Sequence, residues 1–239
     1  MAGFTDFTVD DLESSSRVVR EAGIGATDMA ATAQRITDHL HRILALDDGT
    51  PACVEVSLQK THPYRFLPDD VRAAAGDVGA EADTLMCLVG MARTGAVVPS
   101  LPCAVAVLPL DAATVAADPF LPSMTAAMGF DTPLLTDPVR VVQSGLHRED
   151  LAAFHVPHLV ETSWLGEGAR AEVAATGARS LLVLGGGLPT GDLFFVWLVG
   201  RDQASDKSAR FIRALTPAIK AALIPHALRP WQEDPTAGR

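Results

Sequence analysis

Apolar residues recur along this chain with two spacings, and the change between them marks out the elements. Thr8 stands where a helix cap would, with Asp10 and Asp11 in the first turn, so a short helix is expected to about Arg20 before Gly23 and Gly25 end it. Within Thr27–Leu46, Ile36, Leu40, Ile43 and Leu44 form one helical stripe, closed by the turn residues Asp47-Asp48-Gly49-Thr50-Pro51. Ala52–Leu58 then alternates. Val54, Val56 and Leu58 fall on one face and Cys53, Glu55 and Ser57 on the other, as in a half-buried strand.

Two prolines break Gln59–Pro68, Asp69 is placed to cap a short helix over Asp70–Ala75, and Gly76–Asp83 is polar enough for a loop. Thr84–Met91 and Ala104–Leu108 are the next expected strands. From Asp111 to Phe130 the spacing of Leu121, Met124 and Met128 gives a helix face, starting near Pro119 or Pro122. Val139–Gln143 reads as a short strand, His147–Ala153 as a helical turn and Phe154–Trp164 as irregular.

The C-terminal third is the clearest. The apolar segments Ser180–Leu184 and Leu193–Val199 flank a glycine loop, Gly185–Gly191, in which the chain reverses. A helix from Ser205 to Ile224 follows, with Phe211, Ile212, Leu215, Ala218, Ile219, Ala222 and Leu223 on one side and Lys207, Arg210, Arg213 and Lys220 on the other. Pro217 is expected to bend this helix without breaking its stripe, and Pro225 to end it. No repeat or linker divides the chain. The expected layout is a helical preface over residues 1–26, one domain over 27–226 and a flexible tail over 227–239.

Composition narrows the function. With 239 residues and 48% hydrophobic content the chain can bury a large core. A net charge of −10 with 19 Lys and Arg disfavours nucleic acid and anionic membrane surfaces, which demand clustered positive charge. The longest apolar run, Leu193–Val199, is too short to span a bilayer. The acidic start, MAGFTDFTVDD, is unlike a signal peptide, so a cytoplasmic location is expected. Three widely separated cysteines make neither a disulfide framework nor a zinc motif.

The order of helix, two strands, irregular middle, strand hairpin and closing helix resembles a GAF domain. So does the wording GARSLLV (Gly177–Val183), GDLFFVWLVG (Gly191–Gly200) and ARFIRAL. THPY with Leu67 and Pro68, FHVP (Phe154–Pro157) and GGGLPTGDLF (Gly185–Phe194) are similar to a GAF-related module found at the N-terminal ends of sensor histidine kinases and PAS-containing signalling proteins. The resemblance covers about residues 28–225. It implies an α+β fold with a mostly antiparallel sheet, terminal helices on one face and a helical or irregular insertion on the other. It also implies non-catalytic sensing of a small ligand or of redox state. No kinase, PAS or output segment follows residue 225, so signalling in trans, to a histidine kinase or another protein, or a place within a longer protein is expected. The Thr27–Leu46 and Ser205–Ile224 helices would form a homodimer seam.

A pocket between sheet and insertion would be lined by Phe120, Met124, Met128, Phe130, Phe154 and Trp164, with Arg140, His155 and Thr162 as its polar groups. His155 and His158 could be a metal pair, but the ordinary reading, a loop hydrogen bond and an exposed ring, is preferred. The alternatives are a thiol-dependent enzyme similar to the GAF-fold free methionine-R-sulfoxide reductases and a structural dimerisation module without ligand. Cys53 and Cys87, in expected strands, read as small core hydrophobes, leaving Cys103 as the accessible thiol. The glycine loop lacks the Lys-Ser/Thr and the helix of a phosphate cradle, and no GxSxG or Ser, His and Asp set is present.

Overall fold

A six-stranded antiparallel sheet organises the chain in the computed structural model, which describes residues 2–46, 48–69, 71–73, 83–95, 101, 102, 105–148 and 151–228. The strands are β1 (Cys53–Pro63), β2 (Thr84–Arg93), β3 (Val107–Pro109), β4 (Phe154–Val156), β5 (Ser180–Gly187) and β6 (Leu193–Gly200), in spatial order 3-2-1-6-5-4. The fold is therefore α+β and GAF-like in layout, with β1 and β6 at the centre. Both of their faces are covered, which is why β6 is apolar at nearly every position instead of alternating.

The two faces carry separate cores. Phe194, Val196 and Leu198 of β6 point to a helical layer; Leu193, Phe195, Trp197 and Val199 point to the insertion. The helical layer holds α1 (Val9–Glu21), α2 (Met29–Ile43), α7 (Asp206–Arg213) and α8 (Thr216–Leu223). Thr8 and Asp11 close a reciprocal capping box at α1, and the Asp28 carboxylate accepts the Ala31 amide at α2. α1 packs on α8, α2 lies across β1 and β2, and Phe4, Phe7 and Val19 complete a core with Ile36, Leu40, Ile212 and Ile219. Among the described residues no helix is long and apolar enough to cross a membrane.

The insertion consists of α3 (Ala112–Ala117), α4 (Phe120–Met128), α5 (Pro138–Gln143), short 3-10 turns and α6 (Glu167–Ala175). Asp111 and Asp118 each cap a helix start, so the expected Asp111–Phe130 helix is two helices. Pro119 stands just before the second.

Several expectations are corrected. β1 does not stop at Leu58; Gln59–Pro63 continue it, and the chain leaves through a 3-10 turn at Tyr64–Phe66. A bulge at Cys53/Glu55 makes Val54 the extra residue and sends it to the insertion face, away from Val56 and Leu58. The short helix begins at Asp69 itself, with the Arg72 amide bonded to the Pro68 carbonyl, so Asp69 is not its cap. Val139–Gln143 is helical: Asp137 accepts the Arg140 amide, Pro138 occupies the first turn, and only Val141 of the three valines turns inward. Phe154–Val156 is an edge strand on β5, not irregular chain.

The closing helix is interrupted at Ala214–Leu215, because Pro217 cannot donate to the Arg213 carbonyl and its ring crowds that group. The stripe from Ile212 to Leu223 nevertheless stays buried throughout. Gly185, Gly186 and Gly187 lie within β5. A side chain at Gly185 would meet Phe195 and Met128, and one at Gly187 the backbone of His147, so close packing and not reversal requires them. The reversal itself falls to Gly191, at φ 89°. The end of the Asp70–Ala75 helix, most of the Gly76–Asp83 loop, Cys103, Ala104 and the Trp231–Arg239 tail lie outside the described residues.

Candidate functional site

Phe120 is the centre of the insertion face. The Asp118 carboxylate accepts the Phe120 amide at 2.7 Å and fixes the start of α4, so that Phe120, Leu121, Met124 and Met128 all turn to the sheet. The Phe120 ring stacks on Trp197 of β6 at 5.4 Å and meets Phe154 and Trp164 edge-on at 5.4 and 4.7 Å. Outside this cluster lies an apolar cleft of about 240 Å³ walled by Leu101, Val105, Leu108, Phe120, Trp164 and Leu165.

Polar side chains sit beneath the cluster, on the same face of the sheet. Ser57 of β1 is directly opposite Trp197 and Gln59 is opposite Phe195. Gln59 Nε2 donates to the carbonyls of Pro102 (2.9 Å) and Val105 (3.2 Å), tying these two residues to the central strand. Among the described residues its Oε1, the Ser57 hydroxyl and the Trp197 indole N–H are buried without a hydrogen-bond partner. Burying such groups unpaired costs about 1–3 kcal/mol each.

Of the residues expected to line a pocket, Phe120, Phe154 and Trp164 come together. Met124, Met128 and Phe130 belong to the same apolar cluster but do not line the cleft, with Phe130 stacked on Phe195 at 6.5 Å. The three polar groups do not converge there. Arg140 is exposed on α5 and paired with Asp137 at 3.2 Å. The Thr162 hydroxyl is spent on the Leu159 carbonyl at 2.8 Å. His155 alternates with Phe154 and Val156 and so faces the helical layer, 3.6 Å from Asp206; burial lowers its pKa and the Asp206 carboxylate opposes that.

Sequence reasoning passed over Ser57, Gln59 and Trp197. The available signal was polar residues at every second position of a strand that turns out to be central.

His158 is exposed and pairs with Gln203 at 2.9 Å, so the two histidines of FHVPH diverge. Among the described residues no three His, Cys, Asp or Glu side chains gather as a metal site. Cys53 and Cys87 are buried, and burial pushes both thiols up to about 12, far from an attacking thiolate. Cys103 lies outside the described residues.

A second polar cluster sits where β1 meets the turn before β6. The fully buried Lys60 ammonium donates to Asp192 at 2.7 Å and to the Thr61 carbonyl at 3.1 Å, and lies 3.0 Å from His62 Nδ1. Burial lowers the Lys60 pKa and Asp192 opposes this; burial, then the Lys60 charge, holds His62 well below its ordinary value. The Thr190 hydroxyl also donates to Asp192, and the Leu193 amide to Thr61. These bonds clamp the β5–β6 turn onto β1.

No family model matches this chain, and no curated protein matches it. Solved structures similar to it include the phycocyanobilin-bound GAF domain of a cyanobacterial phytochrome, at 9% identity and TM-score 0.46, covering 91% of this chain and 96% of that one. A phycoerythrobilin-bound GAF domain of a cyanobacterial phytochrome is similar at 14% identity and TM-score 0.43, covering 90% and 97%. The GAF domain of a phosphoenolpyruvate-protein phosphotransferase from Coxiella burnetii is similar at 11% identity and TM-score 0.41, covering 91% and 94%. Likeness at this level says nothing of ligand or activity.

Proposed function

We propose that this GAF-like domain is a non-catalytic sensor that takes a small, largely apolar molecule in the cleft between its sheet and its insertion. The observation that carries this reading is the cleft itself. It is concave, walled by apolar and aromatic side chains with the Asp118 carboxylate at its rim, and lies above buried polar groups that have no partner among the described residues, which is the usual composition of a small-molecule site. Trp197 offers a route outward, because its neighbours Val196 and Leu198 on β6 pack against the helical layer from the other face. Occupancy shifts the domain only as far as the two states differ in ligand affinity.

The environmental dye 1-anilinonaphthalene-8-sulfonate is a suitable probe of the cleft. Wild-type protein is expected to bind it at about one per chain, and Trp164→Ala about fivefold or more weakly, as loss of one aromatic wall of about 1 kcal/mol requires. Unchanged dye affinity in a folded Trp164→Ala protein would remove Trp164 from the site.

The output side of the proposal is a homodimer through α2 and the α7–α8 pair, or a signalling protein such as a histidine kinase in trans. α2 and α8 are in contact within one chain, and Ile24, Ile224 and Leu228 are exposed on the segments that follow α1 and α8. Sedimentation should show a dimer at concentrations of about 100 μM, a range typical of modest interfaces; a monomer there would leave the partner in trans as the output.

A further inference from the structure

Phe120 is the aromatic residue that lies between the open cleft and the sheet. It stacks on Trp197 at an interplanar angle of 29°, it forms part of the wall of the open cleft, and it is held by no polar contact of its side chain. On the same face of the sheet, three hydrogen-bonding atoms are buried and have no partner among the described residues: the Trp197 indole N–H, the Ser57 hydroxyl and Gln59 Oε1. Native interiors seldom leave three such groups together, since each forfeits its hydration with no return.

Their positions are set by the strands. Ser57 and Trp197 are directly opposed on β1 and β6, so their side chains start about 5 Å apart, and Gln59 follows Ser57 on the same face at about 6.8 Å, two residues along a strand. Glu55, one step the other way, already has a partner and is not a member of the group.

We infer that the sheet face behind Phe120 recognises a flat, uncharged heteroaromatic lactam or amide. Its ring displaces that of Phe120 and meets Trp197 edge to edge instead of stacking on it, so that its carbonyl accepts from the in-plane Trp197 N–H and the Ser57 hydroxyl and its N–H donates to Gln59 Oε1. This inference rests on the ligand-sensing reading of the cleft and adds the ligand's chemistry to it. The complementarity is specific: one donor and one rotatable hydroxyl face one acceptor, the pattern of a cis-amide edge. A charge on the ligand edge that meets this row is disfavoured, because no unpaired cation or anion of the described residues stands in the group to neutralise it.

Three probes separate the claims. Carbostyril is a bicyclic lactam, naphthalene is its apolar counterpart of nearly the same shape, and 1-anilinonaphthalene-8-sulfonate reports the cleft regardless of the polar row. Wild-type protein is expected to bind carbostyril at least about tenfold more tightly than naphthalene, because a site built for polar edges rejects an analogue that leaves them unpaired. In Ser57→Ala that preference should fall by about threefold to tenfold while naphthalene affinity is unchanged. Removing an unpartnered buried hydroxyl is not expected to destabilise the fold. Trp197→Phe provides an independent second variant with the same expected loss.

Equal binding of carbostyril and naphthalene to wild type, or an unchanged preference in Ser57→Ala, would overturn the inference while dye binding keeps the cleft. Failure of all three probes to bind would overturn the ligand-sensing reading as well.

Discussion

Asp192→Ala should lower the unfolding free energy by about 3–5 kcal/mol, read as a fall in the urea midpoint, because it leaves the Lys60 ammonium buried without a counter-charge. Lys60 has no exposed side-chain surface from which to recruit water, whereas the Asp192 side chain retains 9%. The reciprocal Lys60→Met substitution is therefore expected to cost clearly less: it removes the fully buried charge, and Asp192 keeps the Thr190 hydroxyl as donor. The double substitution should be less damaging than the sum of the singles, since the second removes the charge that the first strands. A cost below about 1 kcal/mol for Asp192→Ala would mean that the pair does not clamp the β5–β6 turn.

Gly90→Val should be nearly as damaging, at about 3 kcal/mol, the upper end for overpacking. A Cβ at Gly90 would lie 2.6 Å from the Ala33 carbonyl carbon and 2.7 Å from the Gln34 nitrogen, and these are backbone atoms of α2 that cannot swing aside. The approach is fixed beside it: the Gln34 side chain donates to the Met91 carbonyl at 2.8 Å and accepts the Met91 amide at 3.2 Å. Gly168→Ala is the matched control, at a helical position of α6 with open space around it, and should gain up to about 1 kcal/mol from helix propensity. Equal thermal midpoints for Gly90→Val and wild type would contradict the close α2–β2 packing.

Both effects depend on partners remote in sequence, and that is where the sequence was hardest to read. Lys60 and His62 look like loop residues beside Pro63, yet a carboxylate 132 residues away lets Lys60 remain buried in a strand. The three valines of Val139–Gln143 suggest a strand by propensity, whereas the Asp137-Pro138 start makes a helix. His155 reads as a polar group of the same pocket as Phe154, but strand alternation sends neighbours to opposite faces.

Elements whose signal is local were legible. The Thr8 cap and the Ile36–Leu40 stripe stand where the pattern placed them, the β5–β6 pair does so with β5 running on to Gly187, and the α+β layout with helices on one face and an insertion on the other is the one observed. Of the candidate site, the nearness of Phe120, Phe154 and Trp164 was legible in the chain, although of these three only Phe120 and Trp164 line the cleft. The polar row could not, because Ser57 and Gln59 matter only once β1 is known to be central.

The central claim is that a small apolar molecule binds between sheet and insertion, and amide NMR spectra titrated with 1-anilinonaphthalene-8-sulfonate test it most directly. Saturable shifts are expected at Leu101, Val105, Leu108, Phe120, Trp164 and Leu165, and on the facing strands at Ser57 and Trp197, with smaller ones following in α2 and α8. Shifts confined to the exposed face of the helical layer around Ile24, Ile224 and Leu228, with the cleft amides unmoved, would contradict it.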